Sequence, residues 1–261
     1  MQLKPLLLAG FMATVAMARS APTKEHRNVL DEGLQQETTS PVGKRAVTLN
    51  TYVHVVAASE RQSDGNVPDG MIQQQIAVLN QAFAPIGTSF RLAIVDRTIN
   101  PAWSNGDNEQ TMKEALRRGG SADLNIYLMN DLGGETGDTT FPWDYRANPV
   151  MDGCSILYTT MPGGSYPRYN KGITLVHEVG HWLGLYNTFE GGCDDLGDYV
   201  DDTPYQATGS LGCFVGRDSC PQPGVDPINN YMDTSDDDCR TQFTRGQANR
   251  MAVATRQYRG I

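Results

Sequence analysis

Two histidines four residues apart constrain this chain more than any other feature of its sequence. They are His177 and His181, in the segment His-Glu-Val-Gly-His. If residues 172–186 form a helix, both imidazoles project from one face and can bind one metal ion. Glu178 then lies about 100° around the helix from the first histidine, beside the metal, where a general base for hydrolysis is needed. The alternative is an ordinary amphipathic helix with two incidental histidines, but the chain has only four histidines, so the spacing favours a zinc hydrolase.

The third zinc ligand is the weak point of this pattern, because a catalytic zinc usually has three protein ligands and a water. Gly184 lies close to the direction of His177 on the helix, so a side chain there would crowd the metal. Glycine also suits a helix end, and the following turn would bring residue 187 to the metal. That residue is Asn187, whose neutral amide is a weak zinc ligand. It is the first candidate for the third ligand, ahead of Glu190 and Asp194.

The N-terminus has the pattern of a secreted protein. Residues 6–18 are mostly apolar and end in small residues, which predicts a signal peptide over residues 1–18 and secretion to the extracellular space. Residues 19–45 are polar and close with Lys44-Arg45, as in a pro-segment that ends at a dibasic cleavage site. A disordered leader with a chance basic pair fits equally well. No later stretch is long and apolar enough to predict a membrane span.

Residues 46–261 are long enough for one catalytic domain, which we divide into an upper subdomain, 46–186, and a lower subdomain, 187–261. This part of the chain carries 15 basic and 26 acidic residues, a net charge of −11. So acidic a protein is a poor candidate for binding nucleic acid or an anionic membrane. We therefore expect neither partner. Separately, we expect a monomer.

Strand and helix patterns alternate along the upper subdomain, which predicts a mixed α/β sheet with helices packed on it. His54 falls within the first strand and is interpreted as a structural, hydrogen-bonded residue. An edge strand near residues 133–159 could accept an extended peptide through backbone hydrogen bonds. The predicted strands are 46–57, 89–95, 124–129 and 154–159. The first predicted helix is capped by Asp69, the second spans about 109–118, and the last runs from a capping box at Thr244 to about Arg256.

The C-terminal half is rich in loops, cysteines and acidic residues. Four cysteines there predict two disulfides in a secreted protein, with three pairings open, and leave Cys154 buried in its strand. From residue 190 to residue 238 there are twelve acidic residues and one basic residue. This density suggests bound calcium, although a solvated acidic loop would have the same composition. The four cysteines are Cys193, Cys213, Cys220 and Cys239.

A series of short motifs resembles the metzincin metalloproteases and, within them, the pappalysin-like group that includes fungal secreted metalloproteases. The resemblance implies a metzincin-like zincin fold, in which a mixed N-terminal sheet with helices and an active-site helix precede a loop-rich, disulfide-bonded C-terminal subdomain. The motifs run in order over about 90 residues and comprise Pro162-Gly163-Gly164, 177–184, 189–193, 197–204, 230–233 and 243–251.

The resemblance also implies roles for individual residues. His177 and His181 would bind zinc, Glu178 would be the base, and Met232 would form a methionine turn beneath the metal. Calcium in the acidic loop is implied as well. The implied disulfides are Cys193–Cys220 and Cys213–Cys239.

Two residues depart from the family pattern. Asn187 stands where the family has a histidine ligand, and Thr234 where a tyrosine is common, whose hydroxyl would stabilise the developing oxyanion. The leading hypothesis is a zinc endopeptidase acting on extracellular protein or peptide substrates. The alternative is a catalytically impaired metzincin fold that binds a protein or peptide in its cleft. A third hypothesis is a calcium-stabilised structural protein.

Overall fold

The computed structural model describes residues 47–194 and 196–261. The predicted signal peptide, residues 1–18, and the predicted pro-segment, residues 19–45, lie outside the described residues. Asp195 in the acidic loop does too. In the part of the chain that is described, every helix is too short or too polar to cross a membrane.

One mixed sheet lies within residues 47–157. Its described strands are β1 (Val47–Ala57), β2 (Thr88–Ile99), β3 (Leu124–Met129), β4 (Gly137–Thr139) and β5 (Cys154–Leu157). They lie in the order β2-β1-β3-β5-β4, with parallel pairing throughout except that β4 runs antiparallel to β5. This confirms the predicted mixed sheet and places β4 at an edge.

Helices pack on both faces of the sheet. The helices are α1 (Asp69–Phe83), α2 (Pro101–Ser104), α3 (Glu109–Leu116), α4 (Ile173–Trp182) and α5 (Arg245–Arg259), with single-turn 3₁₀ helices at Gln62–Asp64, Ala84–Ile86, Pro142–Asp144, Pro149–Met151 and Tyr158–Thr160. Alternate residues of a strand point to opposite faces, so Ile126 of β3 packs with the core that faces α1 and α4, whereas Tyr127 packs with α3 on the other face.

His54 is a structural residue, as predicted. It is fully buried in β1. Its Nδ1 lies 2.9 Å from Asp96 Oδ1, and its Nε2 lies 3.0 Å from Asn125 Oδ1. Both ring nitrogens are therefore engaged with neighbouring strands and cannot serve a site on α4.

Residues 187–261 contribute no strand to the sheet in the part described and are held by disulfides, hydrogen bonds and apolar packing. Between α4 and α5, the described residues form turns and loops with one isolated bridge, between Asn230 and Gln242. Cys154 is free and buried, as expected. Each of the two disulfides closes a loop long enough to stabilise the fold by about 3.5 kcal/mol on the chain-entropy model. They pair Cys193 with Cys220 and Cys213 with Cys239, which are the pairs that the resemblance implies.

Several predicted boundaries were wrong. Strand β2 extends to Ile99 rather than to residue 95, β5 ends at Leu157 rather than at residue 159, and α3 ends at Leu116 rather than at residue 118. Helix α4 ends at Trp182 rather than at residue 186, because the chain turns away through Gly184, whose φ is 103°. Pro68, and not Asp69, occupies the N-cap of α1. Helix α5 continues three residues past Arg256, since the Arg259 side chain is buried against the end of α4. The capping box at Thr244 is confirmed.

Candidate active site

Helix α4 places three of the predicted site residues in the protein interior. It begins after Gly172, whose φ of 83° suits glycine, and its apolar face packs into the main core. His177, Glu178 and His181 are 4%, 3% and 2% exposed. Polar groups so buried need partners or a ligand, and their partners define the site.

The two imidazoles are oriented by backbone carbonyls. His177 Nδ1 donates to the Tyr231 carbonyl over 2.9 Å, and His181 Nδ1 donates to the Leu185 carbonyl over 2.8 Å. Each ring therefore carries its proton on Nδ1, and the lone pair of each Nε2 remains available. The two Nε2 atoms lie 3.0 Å apart. Two nitrogens on a tetrahedral zinc with bonds of about 2.0–2.1 Å are about 3.3 Å apart, so this spacing fits a shared metal.

Burial keeps both imidazoles neutral, which is the form that binds metals. It lowers the pKa of His181 to about 4. Burial also holds the pKa of His177 well below its usual range, and the nearby His181 and Arg240 lower it further. No proton then has to be displaced from either Nε2 when a cation binds near neutral pH.

Asn187 lies beside both imidazole rings. The chain reaches it through a tight turn, in which the Leu185 amide donates to the Gly180 carbonyl over 3.0 Å. Asn187 is 5% exposed, and its Oδ1 has no hydrogen-bond partner among the described residues. A buried oxygen without a partner costs about 1–3 kcal/mol, and a cation shared with the two histidines would satisfy it.

One of the two reasons predicted for Gly184 holds in the structure: it allows the chain to turn after the helix end, with a φ of 103°. We expected a side chain there to crowd the metal. In the structure, a Cβ at Gly184 would instead lie 2.6 Å from the Cβ of Ala254 in α5, and the positive φ of 103° also favours glycine. The prediction extended α4 as a regular helix through this residue, whereas the helix has already ended.

Glu178 points toward the edge strand β4. Thr139 Oγ1 donates to Glu178 Oε2 over 2.7 Å. A Cβ at Gly137 would lie 2.4 Å from Oε1, so the strand approaches the carboxylate as closely as glycine permits. Burial raises the pKa of Glu178 to about 8, and the Thr139 hydrogen bond opposes this rise. A cation at the imidazoles would also lower the pKa.

Met232 lies directly against the active-site helix. It is fully buried, and a Cβ added at Gly180 would lie only 2.4 Å from its Sδ. The preceding residue, Tyr231, provides the carbonyl that orients His177. One turn of chain thus supports the helix from below and fixes the tautomer of a histidine.

Thr234 does not direct its hydroxyl at the imidazoles. Its Oγ1 donates to the Ser210 carbonyl over 3.0 Å, which ties the turn after Met232 to a neighbouring loop. Sequence reasoning missed two groups in this region. Thr139 holds Glu178, and the buried Arg240, paired with Asp237 over 2.6 Å, places its charge near both His177 and Glu178. Neither has a local pattern that marks it.

The acidic loop does not form a carboxylate cluster in the residues described. Across 47–194 and 196–261, no three His, Cys, Asp or Glu side chains are grouped as metal ligands. Asp226 is paired with Arg217 over 2.7 Å, and Asp202 accepts a hydrogen bond from the Gly246 amide at the start of α5. Burial raises the pKa of Asp198 to about 7. Calcium binding stays a prediction.

The fold and the site together define a class. A mixed sheet, a helix that presents two neutral imidazoles and a carboxylate, and a methionine turn beneath it are the parts of a zincin-type metalloprotease. The comparisons with known proteins agree. Residues 119–255 match the family model Peptidase_M43, described as pregnancy-associated plasma protein-A.

Relatives and solved structures extend the match over most of the chain. The chain is 51% identical over 216 residues to extracellular metalloprotease 1 of Coccidioides posadasii, covering 82% of this chain and 78% of the relative. It is 46% identical over 261 residues to an extracellular metalloprotease of Colletotrichum graminicola, covering 97% and 93%. Mature mirolysin of Tannerella forsythia, solved with a cleaved peptide, superposes with a TM-score of 0.67 at 28% identity, covering 79% of this chain and 90% of that one.

This protein belongs to the Peptidase_M43 family of metalloproteases. The pappalysin-like resemblance and the metzincin-like α/β fold are thereby confirmed. The metal of such enzymes is typically zinc.

Proposed function

We propose that this protein is a secreted zinc endopeptidase that hydrolyses peptide bonds of extracellular proteins. The observation that carries the proposal is the pair of Nε2 atoms of His177 and His181, 3.0 Å apart, with the buried side chain of Asn187 next to both rings. Secretion is supported by the N-terminal sequence pattern and by relatives that are named extracellular metalloproteases.

His177, His181 and Asn187 would hold the zinc ion. When bound there, zinc would polarise the scissile carbonyl and make a water molecule acidic enough to attack at neutral pH. The carbonyls of Tyr231 and Leu185 favour zinc binding because they fix both imidazoles as neutral Nδ1–H tautomers. Met232 would keep the helix in place by packing against Gly180.

Glu178 would act as the general base and then as the general acid. Its carboxylate takes a proton from the attacking water, whose oxygen bonds to the substrate carbonyl carbon. The carboxyl then gives that proton to the leaving amine as the C–N bond breaks. Its burial at 3% exposure keeps bulk water from competing for the proton.

Strand β4 would hold the substrate. It pairs with β5 along one side only, and it ends the strand order of the described sheet. A free strand edge binds an extended peptide through backbone hydrogen bonds, which suits an enzyme that cuts many sequences. Thr139 of this strand also touches Glu178, so a peptide bound along β4 lies next to the base.

Zinc removal tests the proposed function. Treating the purified protein with 1,10-phenanthroline is expected to abolish casein cleavage, because both imidazoles lose the cation that they are oriented to share. One equivalent of zinc should restore cleavage, whereas calcium alone should not. Cleavage that persists without metal would contradict the proposal. A zinc-loaded wild type that cleaves no protein would favour the catalytically impaired, peptide-binding alternative.

The substitution Asn187→His tests the third ligand. An imidazole is a better zinc ligand than a neutral amide, so the variant should lower the zinc Kd at least about tenfold, or about 1.4 kcal/mol. Competition with a fluorescent chelator measures this directly and needs no proteolytic activity. Asn105→His, at an exposed position, is the control and should leave the Kd unchanged. An unchanged Kd in Asn187→His would mean that residue 187 does not bind the metal.

A further inference from the structure

The Glu178 carboxylate is held by a hydroxyl from another element of the fold. Thr139 Oγ1 donates to Glu178 Oε2 over 2.7 Å, and both side chains are 3% exposed. The hydroxyl is the donor, because Glu178 has to be ionised to act as a base and an ionised carboxylate only accepts hydrogen bonds. A hydroxyl-to-carboxylate hydrogen bond this short is among the stronger ones in proteins. Water has little access to replace it.

The β-ladder fixes the position of this hydroxyl. Thr139 is paired with Cys154 and Gly137 with Ile156 in the antiparallel pairing of β4 with β5. Residues two apart in a strand share a face, so Gly137 and Thr139 both face the carboxylate. The Thr139 hydroxyl bonds Oε2, and the missing side chain of Gly137 leaves room for Oε1, which a Cβ would approach to 2.4 Å. Both carboxylate oxygens are therefore placed by β4.

We propose that Thr139 is a positioning residue for hydrolysis, whose hydroxyl holds the Glu178 carboxylate in the orientation from which it takes the water proton. This inference rests on the proposed function, in which Glu178 is the base. Strand β4 would then align both reacting partners, because it holds the base with a side chain and the substrate with its free edge. Groups that orient a reacting residue typically change activity about 10–100-fold when they are removed.

Thr139→Val tests the proposal, because valine keeps the shape of threonine and lacks the hydroxyl. The expected result is a fall of about 10–100-fold in kcat for a fluorogenic peptide, with KM and zinc content unchanged. KM should hold because the backbone edge of β4 is intact. Thr139→Ser, which keeps the hydroxyl, should recover most of the loss. Thr51→Val is the matched control, since Thr51 is fully buried in β1 and its hydroxyl has no hydrogen-bond partner among the described residues.

Each outcome decides between the two proposals. If kcat falls in Thr139→Val but not in Thr51→Val, and serine restores it, the positioning role is supported. An undiminished kcat in Thr139→Val, or a Thr139→Ser variant as slow as Thr139→Val, would overturn the positioning role and leave the proposed function standing. Equal rates in wild type and Glu178→Gln would overturn the proposed function and this inference with it. If thermal unfolding shows that valine disturbs the fold, Thr139→Ala and Thr139→Ser, which differ by one hydroxyl, make the same comparison.

Discussion

Glu178→Gln is expected to lower kcat for casein by about 10²–10⁴-fold while the bound zinc is retained. Glutamine has the size of glutamate and its carbonyl can still accept the Thr139 hydrogen bond. It cannot take a proton from water, so only the acid–base role is removed. The two imidazoles and Asn187 are untouched, and the zinc content of the variant should equal that of the wild type.

The control for this variant is Glu114→Gln, which makes the same change at an exposed position on α3. It should cleave casein at the wild-type rate. Zinc content by mass spectrometry and the thermal midpoint of unfolding should agree among all three proteins. A Glu178→Gln protein that keeps wild-type kcat would show that the proton passes through some other group. One that has lost its zinc would make the rate comparison a measure of metal binding instead.

A buried arginine of the last helix, Arg259, connects that helix to the end of the active-site helix. Arg259 is 2% exposed, and its guanidinium bonds both oxygens of the fully buried Asp152 over 2.9 and 3.2 Å. It also donates to the Trp182 carbonyl over 3.0 Å and lies 3.5 Å from the centre of the Trp182 ring. Trp182 is the last residue of α4, and its indole Nε1 donates a hydrogen bond to Asp152. The end of α5 thus fixes the end of the helix that carries the site.

Arg259→Met is therefore expected to lower the free energy of unfolding by about 3–5 kcal/mol, the usual cost of leaving one partner of a buried ion pair without the other. Arg117 lies 3.6 Å from Asp152 and offsets part of this loss. Urea unfolding followed by tryptophan fluorescence measures the change. Arg245→Met, at an exposed arginine on the same helix, should shift stability by less than about 0.5 kcal/mol. Equal, small shifts in both variants would show that the buried pair contributes little to stability.

Local patterns were sufficient for the helix that carries the site and for most elements around it. The spacing of His177 and His181 places both on one helical face, and the strand at 124–129 was predicted with its observed bounds. These features depend on residues within one or two turns of each other. Helix ends were less predictable. Helix α4 stops at Trp182 because the chain turns at Gly184, and Gly184 packs against α5, a helix some 70 residues further along the chain.

The partners of the site residues could not be read from local patterns. Thr139 is 39 residues from Glu178, and the Tyr231 carbonyl is 54 residues from His177. Such contacts follow from how strands and turns pack, and no spacing rule encodes them. The cysteines show the same limit. Their number predicted two disulfides but left three pairings open, and only the family resemblance implied the pairing that the fold shows, with Cys193 beside Cys220.

By itself, therefore, the sequence determined the chemistry available to this protein: a helix with two imidazoles and a carboxylate, and an asparagine where a third imidazole would complete the set. Only the tertiary structure decided how those groups are used. It turned both Nε2 atoms toward each other, buried the Asn187 side chain beside the two rings, and set Thr139 against Glu178. The physical reason is that residue type and helical spacing act over a few residues, whereas tautomer, orientation and burial depend on groups brought together by packing of distant segments.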